Sequence, residues 1–123
     1  MPGKRPVFSD TAGREPHSLD KEQSEKAIKK WLSSNLKVGA ILAIRRRRNG
    51  LLQYERGMVL SARPRNFNVG TQHRDGTFSE SGITFDYAGR HWRDPGGGIQ
   101  IVIPTDAVLA ACDACDFGAA FLP

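Results

Sequence analysis

Several things are scarce in this chain. No apolar run approaches the roughly 18 residues that a membrane-crossing helix needs, which excludes a helical membrane span. There are 2 cysteines, Cys112 and Cys115, too few and too close to staple a secreted disulfide domain. No apolar stretch of signal-peptide length follows Met1-Pro2-Gly3-Lys4-Arg5, so export by that route is not expected and a reducing cytoplasm is the expected compartment. Lysine is absent after Lys37, and no base of either kind follows Arg93. Aromatic residues make up 8%, yet hydrophobic residues reach 39% of 123, too many for a wholly disordered chain and enough for one soluble domain.

What is present is an uneven charge. Residues 1–44 hold eight bases against five acids (+3), residues 45–93 hold ten Arg against four acids (+6), and residues 94–123 hold four Asp and no base (−4), for a net +5. A central block that uses only Arg has the planar, permanently charged, forked donor suited to phosphate, carboxylate and aromatic faces. Arg stems also cover apolar surface and form surface ion pairs of little consequence, so charge alone does not name a partner.

The chain divides at its punctuation. Residues 1–18 mix three Pro, two Gly and scattered charge without periodicity and are expected to form a flexible basic arm; residues 19–123 form a single domain. Asp20, with Gln23 three residues on, can cap a helix through Asn35 whose Ala27, Ile28, Trp31 and Leu32 share one face. Glu22 with Lys26 and Glu25 with Lys29 stand in the favourable order for helical ion pairs. From Lys37 the pattern changes to short apolar runs between turn residues, the grammar of a small antiparallel β domain. Strands are expected over Val38–Arg47, Leu51–Ala62, Asn66–Gln72, Gly82–Asp86, Arg90–Arg93 and Ile99–Ile103. Asn49-Gly50 supplies the strongest hairpin signal, and Asp75-Gly76, Ala88-Gly89 and Pro95-Gly96-Gly97-Gly98 are further turns. Thr105 or Asp106 can cap a short helix through Cys112. The expected fold is therefore mainly β (α+β), a small SH3-like antiparallel barrel between an N-terminal amphipathic helix and a short C-terminal helix.

Arg45-Arg46-Arg47-Arg48 is the strongest candidate site. A two-residue Asn49-Gly50 turn sets Arg48 opposite Leu51, Arg47 opposite Leu52, Arg46 opposite Gln53 and Arg45 opposite Tyr54. Alternation then puts Arg45, Arg47, Tyr54 and Arg56 on one face and Arg46 and Arg48 on the other, a tip cationic all round that must project from the core. Such a ribbon can follow a phosphate backbone while Tyr54 stacks on a base. A solvated tip that discourages edge-to-edge pairing would use the same residues. A second cationic set, Arg63, Arg65, Arg74, Arg90 and Arg93, is interleaved with Phe67, His73, His91 and Trp92, as a stacking single-strand surface would be. Strand alternation with aromatics inside and charges outside produces that interleaving too. Trp92 and Phe85 are expected in the core, Tyr54 and Arg65 on the surface.

The remaining motifs carry less. Cys112-Asp113-Ala114-Cys115 has redox spacing without a βαβ context, and a buried thiol packing the last helix accounts for it. His73 with Asp75 and His91 with Asp94 would make a metal cluster only if their strands were neighbours. Gly96-Gly97-Gly98 leads into a strand, unlike a phosphate-cradling loop that opens a helix, and reads as a turn. No cofactor is implied.

Lys37-Val38-Gly39-Ala40-Ile41, leading through a loop to Arg56-Gly57-Met58-Val59-Leu60-Ser61, resembles MazF-like ribonucleases over some 25 residues. That resemblance implies RNA cleavage with an Arg or His, such as Arg46 or His73, acting on the scissile phosphate. The residues themselves favour a non-catalytic nucleic-acid-binding protein that uses the Arg-rich hairpin. The alternative partner is an acidic protein docked by the same hairpin, with the acidic C-terminal block, Phe117, Phe121 and Leu122 as an assembly surface.

Overall fold

The computed structural model describes residues 23–48 and 51–114, with Arg48 and Leu51 described in their backbone alone. The expected arm, the Asp20 cap, the Asn49-Gly50 turn, Cys115 and the C-terminal aromatics lie outside these residues.

The first helix, α1, spans Glu25–Asn35. Its cap is Ser24, whose Oγ accepts the Ala27 N–H at 3.0 Å, and Glu25 places a carboxylate in the first turn where the helix dipole favours it. The apolar stripe works as its spacing predicts: Ile28 and Leu32 are buried, and Trp31 packs against them half-buried. Burying two such side chains contributes about 1.5–3 kcal/mol each. Lys29 reaches back to Glu25 at 3.5 Å on the solvent side.

Five strands follow: β1 (Ile41–Arg48), β2 (Leu51–Ala62), β3 (Asn66–Thr71), β4 (Ile83–Asp86) and β5 (Ile99–Val102). The first strand starts later than expected because Lys37–Ala40 form a turn, with Gly39 at φ 91° and the Ala40 N–H donating to the Lys37 carbonyl at 2.9 Å. All pairings are antiparallel, in the order β4-β3-β2-β1-β5, and the sheet curls as a half-barrel. A register shift between Val59 and Ser61 adds local bend to β2.

Arg90–Arg93 is not a strand. It makes isolated bridges, His91 to Phe85 of β4 and Arg90 to Gln100 of β5, so two residues link the sheet's edges. Gly89, at φ 84°, turns the chain into that position, and its absent Cβ leaves room for Ile28 and Ile101.

The sheet buries both faces. Inside the curl, Leu42, Ile44, Val59, Phe67, Val69, Phe85 and Ile101 pack with Ile28 and Leu32 of α1. The second helix, α2 (Asp106–Ala114), starts at Thr105, whose hydroxyl accepts the Val108 N–H at 3.2 Å. It lies across the outer face and buries Val108, Ala111 and Cys112 against Ala43, Leu52, Tyr54 and Val102. Gln23 ties the chain ahead of α1 to the end of β5: the Ile103 N–H donates to its Oε1 at 2.6 Å, and its Nε2 donates to the Ile103 carbonyl at 3.1 Å.

Candidate nucleic-acid interface

The pairing of β1 with β2 follows the register that a two-residue turn dictates: Arg48 faces Leu51, Arg47 faces Leu52, Arg46 faces Gln53 and Arg45 faces Tyr54. Side chains on the two faces therefore divide as alternation requires. Their environments do not match a tip that is cationic all round.

On the inner face, Arg46 sits above Ile44 at the rim of the core. Its Nε donates to Glu55 Oε1 at 2.7 Å, and Gln53 Nε2 donates to the other carboxylate oxygen at 3.2 Å. Glu55 is 8% exposed, the one charged group buried among the described residues. Arg46 is thus committed to a partly desolvated ion pair.

On the outer face, Tyr54 is 0% exposed. It lies beneath α2 with Leu52 and Cys112, so it is a core residue and not a base-stacking platform. Arg56, two positions along, binds Asp113 of α2 through both Nη2 contacts, at 3.0 and 3.1 Å. The helix that buries Tyr54 also supplies the acid that neutralises Arg56.

The second cationic set is dispersed. Arg63 and Arg65 are exposed in the β2–β3 turn. That turn lies at the opposite end of β2 from the hairpin tip, roughly 35 Å away at about 3.3 Å per residue. Arg63 donates to Asn66 Oδ1 at 3.5 Å, and its carbonyl accepts the Tyr87 hydroxyl at 2.6 Å. Arg74 is exposed on the loop between β3 and β4, and Arg90 pairs with Asp86 at 3.1 Å. Phe85 is buried as expected, but Trp92 is 45% exposed, because its segment bridges β4 at His91 and then leaves the sheet. Arg63 and Arg65 therefore stand apart from the Arg45–Arg47 end of the sheet.

What the fold does bring together is smaller. Arg45, Arg47 and Gly96, Gly97 and Gly98 line a groove of about 240 Å³ on the outer face beyond α2. Arg47 is exposed and Arg45 half-buried, with Arg45 Nη2 donating to Gln100 Oε1 at 3.4 Å. The glycine loop is bound to β1: the Arg47 N–H donates to the Gly98 carbonyl at 2.7 Å, and a Cβ on Gly98 would run into the Arg47 backbone carbonyl. Within the loop the Gly97 N–H closes a turn onto the Asp94 carbonyl at 2.9 Å. The sequence reads these three glycines as a turn and not as a wall beside Arg47; the signal for the wall was their place immediately ahead of a strand, where close backbone approach is the usual reason for Gly. Arg90 bridges Gln100, which pairs with Arg45, so the three form one cross-strand row with Arg90 about 10 Å from Arg45.

Among the described residues no three His, Cys, Asp or Glu gather as a metal cluster, and His73 with Asp75 does not meet His91 with Asp94 in one. Asp75 has another occupation: Thr77 donates to it from its hydroxyl at 2.6 Å and from its backbone N–H at 2.9 Å, which holds its carboxyl below the ordinary value of 3.8. Cys112 is a buried thiol in the core under α2.

Comparison of the chain with protein-family models, with curated proteins and with solved structures finds no match.

Proposed function

We propose that this chain is a non-catalytic nucleic-acid-binding protein with an SH3-like fold, and that its contact surface is the Arg45–Arg47 end of the β1–β2 hairpin. The observation that carries this reading is the groove in which the two guanidinium-bearing positions face the glycine loop. Arg45 and Arg47 are two apart on one strand face, about 6.8 Å along β1, a spacing at which two forked donors can hold neighbouring phosphates of one strand. Gly96, where a Cβ would meet nothing within 4 Å, adds backbone without a side chain, so a phosphate can approach closely there.

Contacts of this kind go to phosphates and carry little sequence information. The test is fluorescence anisotropy with labelled DNA and RNA oligonucleotides across a salt series. Log affinity should fall linearly with log salt, and Arg47→Ala should reduce the slope by about 0.7 to 0.9. Undetectable binding to every oligonucleotide at low salt would refute the reading. Cleaved RNA would instead support the ribonuclease.

A further inference from the structure

We infer that Trp92 is a base-stacking platform that makes this surface select single-stranded over duplex nucleic acid. The inference rests on the nucleic-acid reading and adds the class of strand.

Trp92 is 45% exposed, although a tryptophan of ordinary packing buries most of its ring. Its backbone is nonetheless held firmly. The Trp92 N–H donates to the Thr84 carbonyl at 2.9 Å, and the preceding His91 bridges Phe85 with their rings 6.1 Å apart. An aromatic side chain is thus mounted on a fixed edge and presented to solvent, which is how a stacking platform differs from a loose surface residue.

The platform and the groove belong to one short segment. After Trp92 come the exposed Arg93, the turn closed by Gly97 onto Asp94, and Gly98 on the backbone of Arg47. Five residues separate Trp92 from Gly98, a reach of at most roughly 20 Å, shortened by the turn. The antiparallel bridge of Arg90 to Gln100 sets this segment beside the start of β5, so in this reading a strand whose phosphates lie along Arg45 and Arg47 continues past Arg93 toward the indole. Phosphate contacts alone accept duplex and single strand alike. A stacking ring accepts only a base free of its neighbours, since the bases of a duplex are already stacked on one another. Tyr54 was the aromatic expected in this role and is buried; among the described residues Trp92 is the aromatic the fold leaves exposed.

The test compares the dissociation constants of a labelled 12-nucleotide single strand and of its duplex for wild type, Trp92→Ala, Trp92→Phe and Arg47→Ala, with unchanged circular dichroism confirming the fold. The inference expects wild type to prefer the single strand. Trp92→Ala should weaken single-strand binding about tenfold or more and leave duplex binding within about twofold, while Trp92→Phe retains most of the affinity. Arg47→Ala should weaken both. If Trp92→Ala weakens both forms equally, or neither, while Arg47→Ala weakens both, the stacking role is overturned and the nucleic-acid reading stands. If wild type binds neither form, that reading falls and the inference with it.

Discussion

Arg46 and Glu55 form an ion pair at the rim of the core, Nε to Oε1 at 2.7 Å, with side chains 20% and 10% exposed. The pair spends one of the four tandem arginines on the domain's own stability. Removing one partner leaves the other charge partly desolvated. Glu55→Gln is expected to cost about 1–3 kcal/mol, because Arg46 loses its counter-charge and the Gln53 amide loses the second oxygen that accepts from it. Urea denaturation measures this; a loss below a few tenths of a kcal/mol would show the pair to be incidental.

Gly98 and Arg47 make the second test. The loop meets β1 where a methyl group would strike the Arg47 carbonyl. Gly98→Ala should lower stability by about 1–3 kcal/mol and loosen the groove, weakening oligonucleotide binding at temperatures where the protein remains folded. Gly96→Ala is the control, since a Cβ there meets nothing within 4 Å and should leave the fold intact.

Tyr54 separates the two roles an aromatic can have. Buried among Leu52, Val102, Val108 and Cys112, it is expected to cost about 3–5 kcal/mol when cut to Ala. Binding by the fraction that stays folded should be unchanged. A Tyr54→Ala protein that keeps its melting temperature and loses nucleic acid would place the ring on the surface instead.

Asp75 gives a pH prediction with a definite sign. Its carboxyl titrates lower in the folded chain than in the unfolded one because Thr77 donates to the charged form twice. The contribution to stability is therefore present above the unfolded value and is lost as pH falls through the folded one. A carboxyl NMR titration should show a midpoint below 3.8, and Thr77→Val should raise it by removing the hydroxyl donor. An unmoved midpoint in Thr77→Val would assign the shift to another cause.

Much of this architecture is local and was legible for that reason. Turn residues in the sequence bound β2 at Ala62 and start β3 at Asn66, and the β1–β2 register from Arg48 and Leu51 through Ile41 and Met58 is the one the sequence reading expects. What alternation cannot say is which face a distant element covers. Tyr54 is buried because α2 returns more than fifty residues later, and the same return joins Arg56 to Asp113. Trp92 fails in the opposite sense: its spacing resembles a strand, but the segment makes bridges and departs. Charge counting likewise cannot say which arginines find an acid, as Arg46, Arg56 and Arg90 do, or that Arg63 and Arg65 sit at the far end of a long strand.

The central claim is that phosphate is held at the Arg45–Arg47 groove and not over the whole arginine set. The most direct measurement is backbone amide NMR of the folded protein titrated with a short oligonucleotide at low salt. The account predicts saturable shifts centred on Arg45, Arg47, Gly96, Gly97, Gly98 and Arg93, with Arg63 and Arg65 unmoved. Shifts centred on Arg63 and Arg65, with the glycine loop silent, would contradict it.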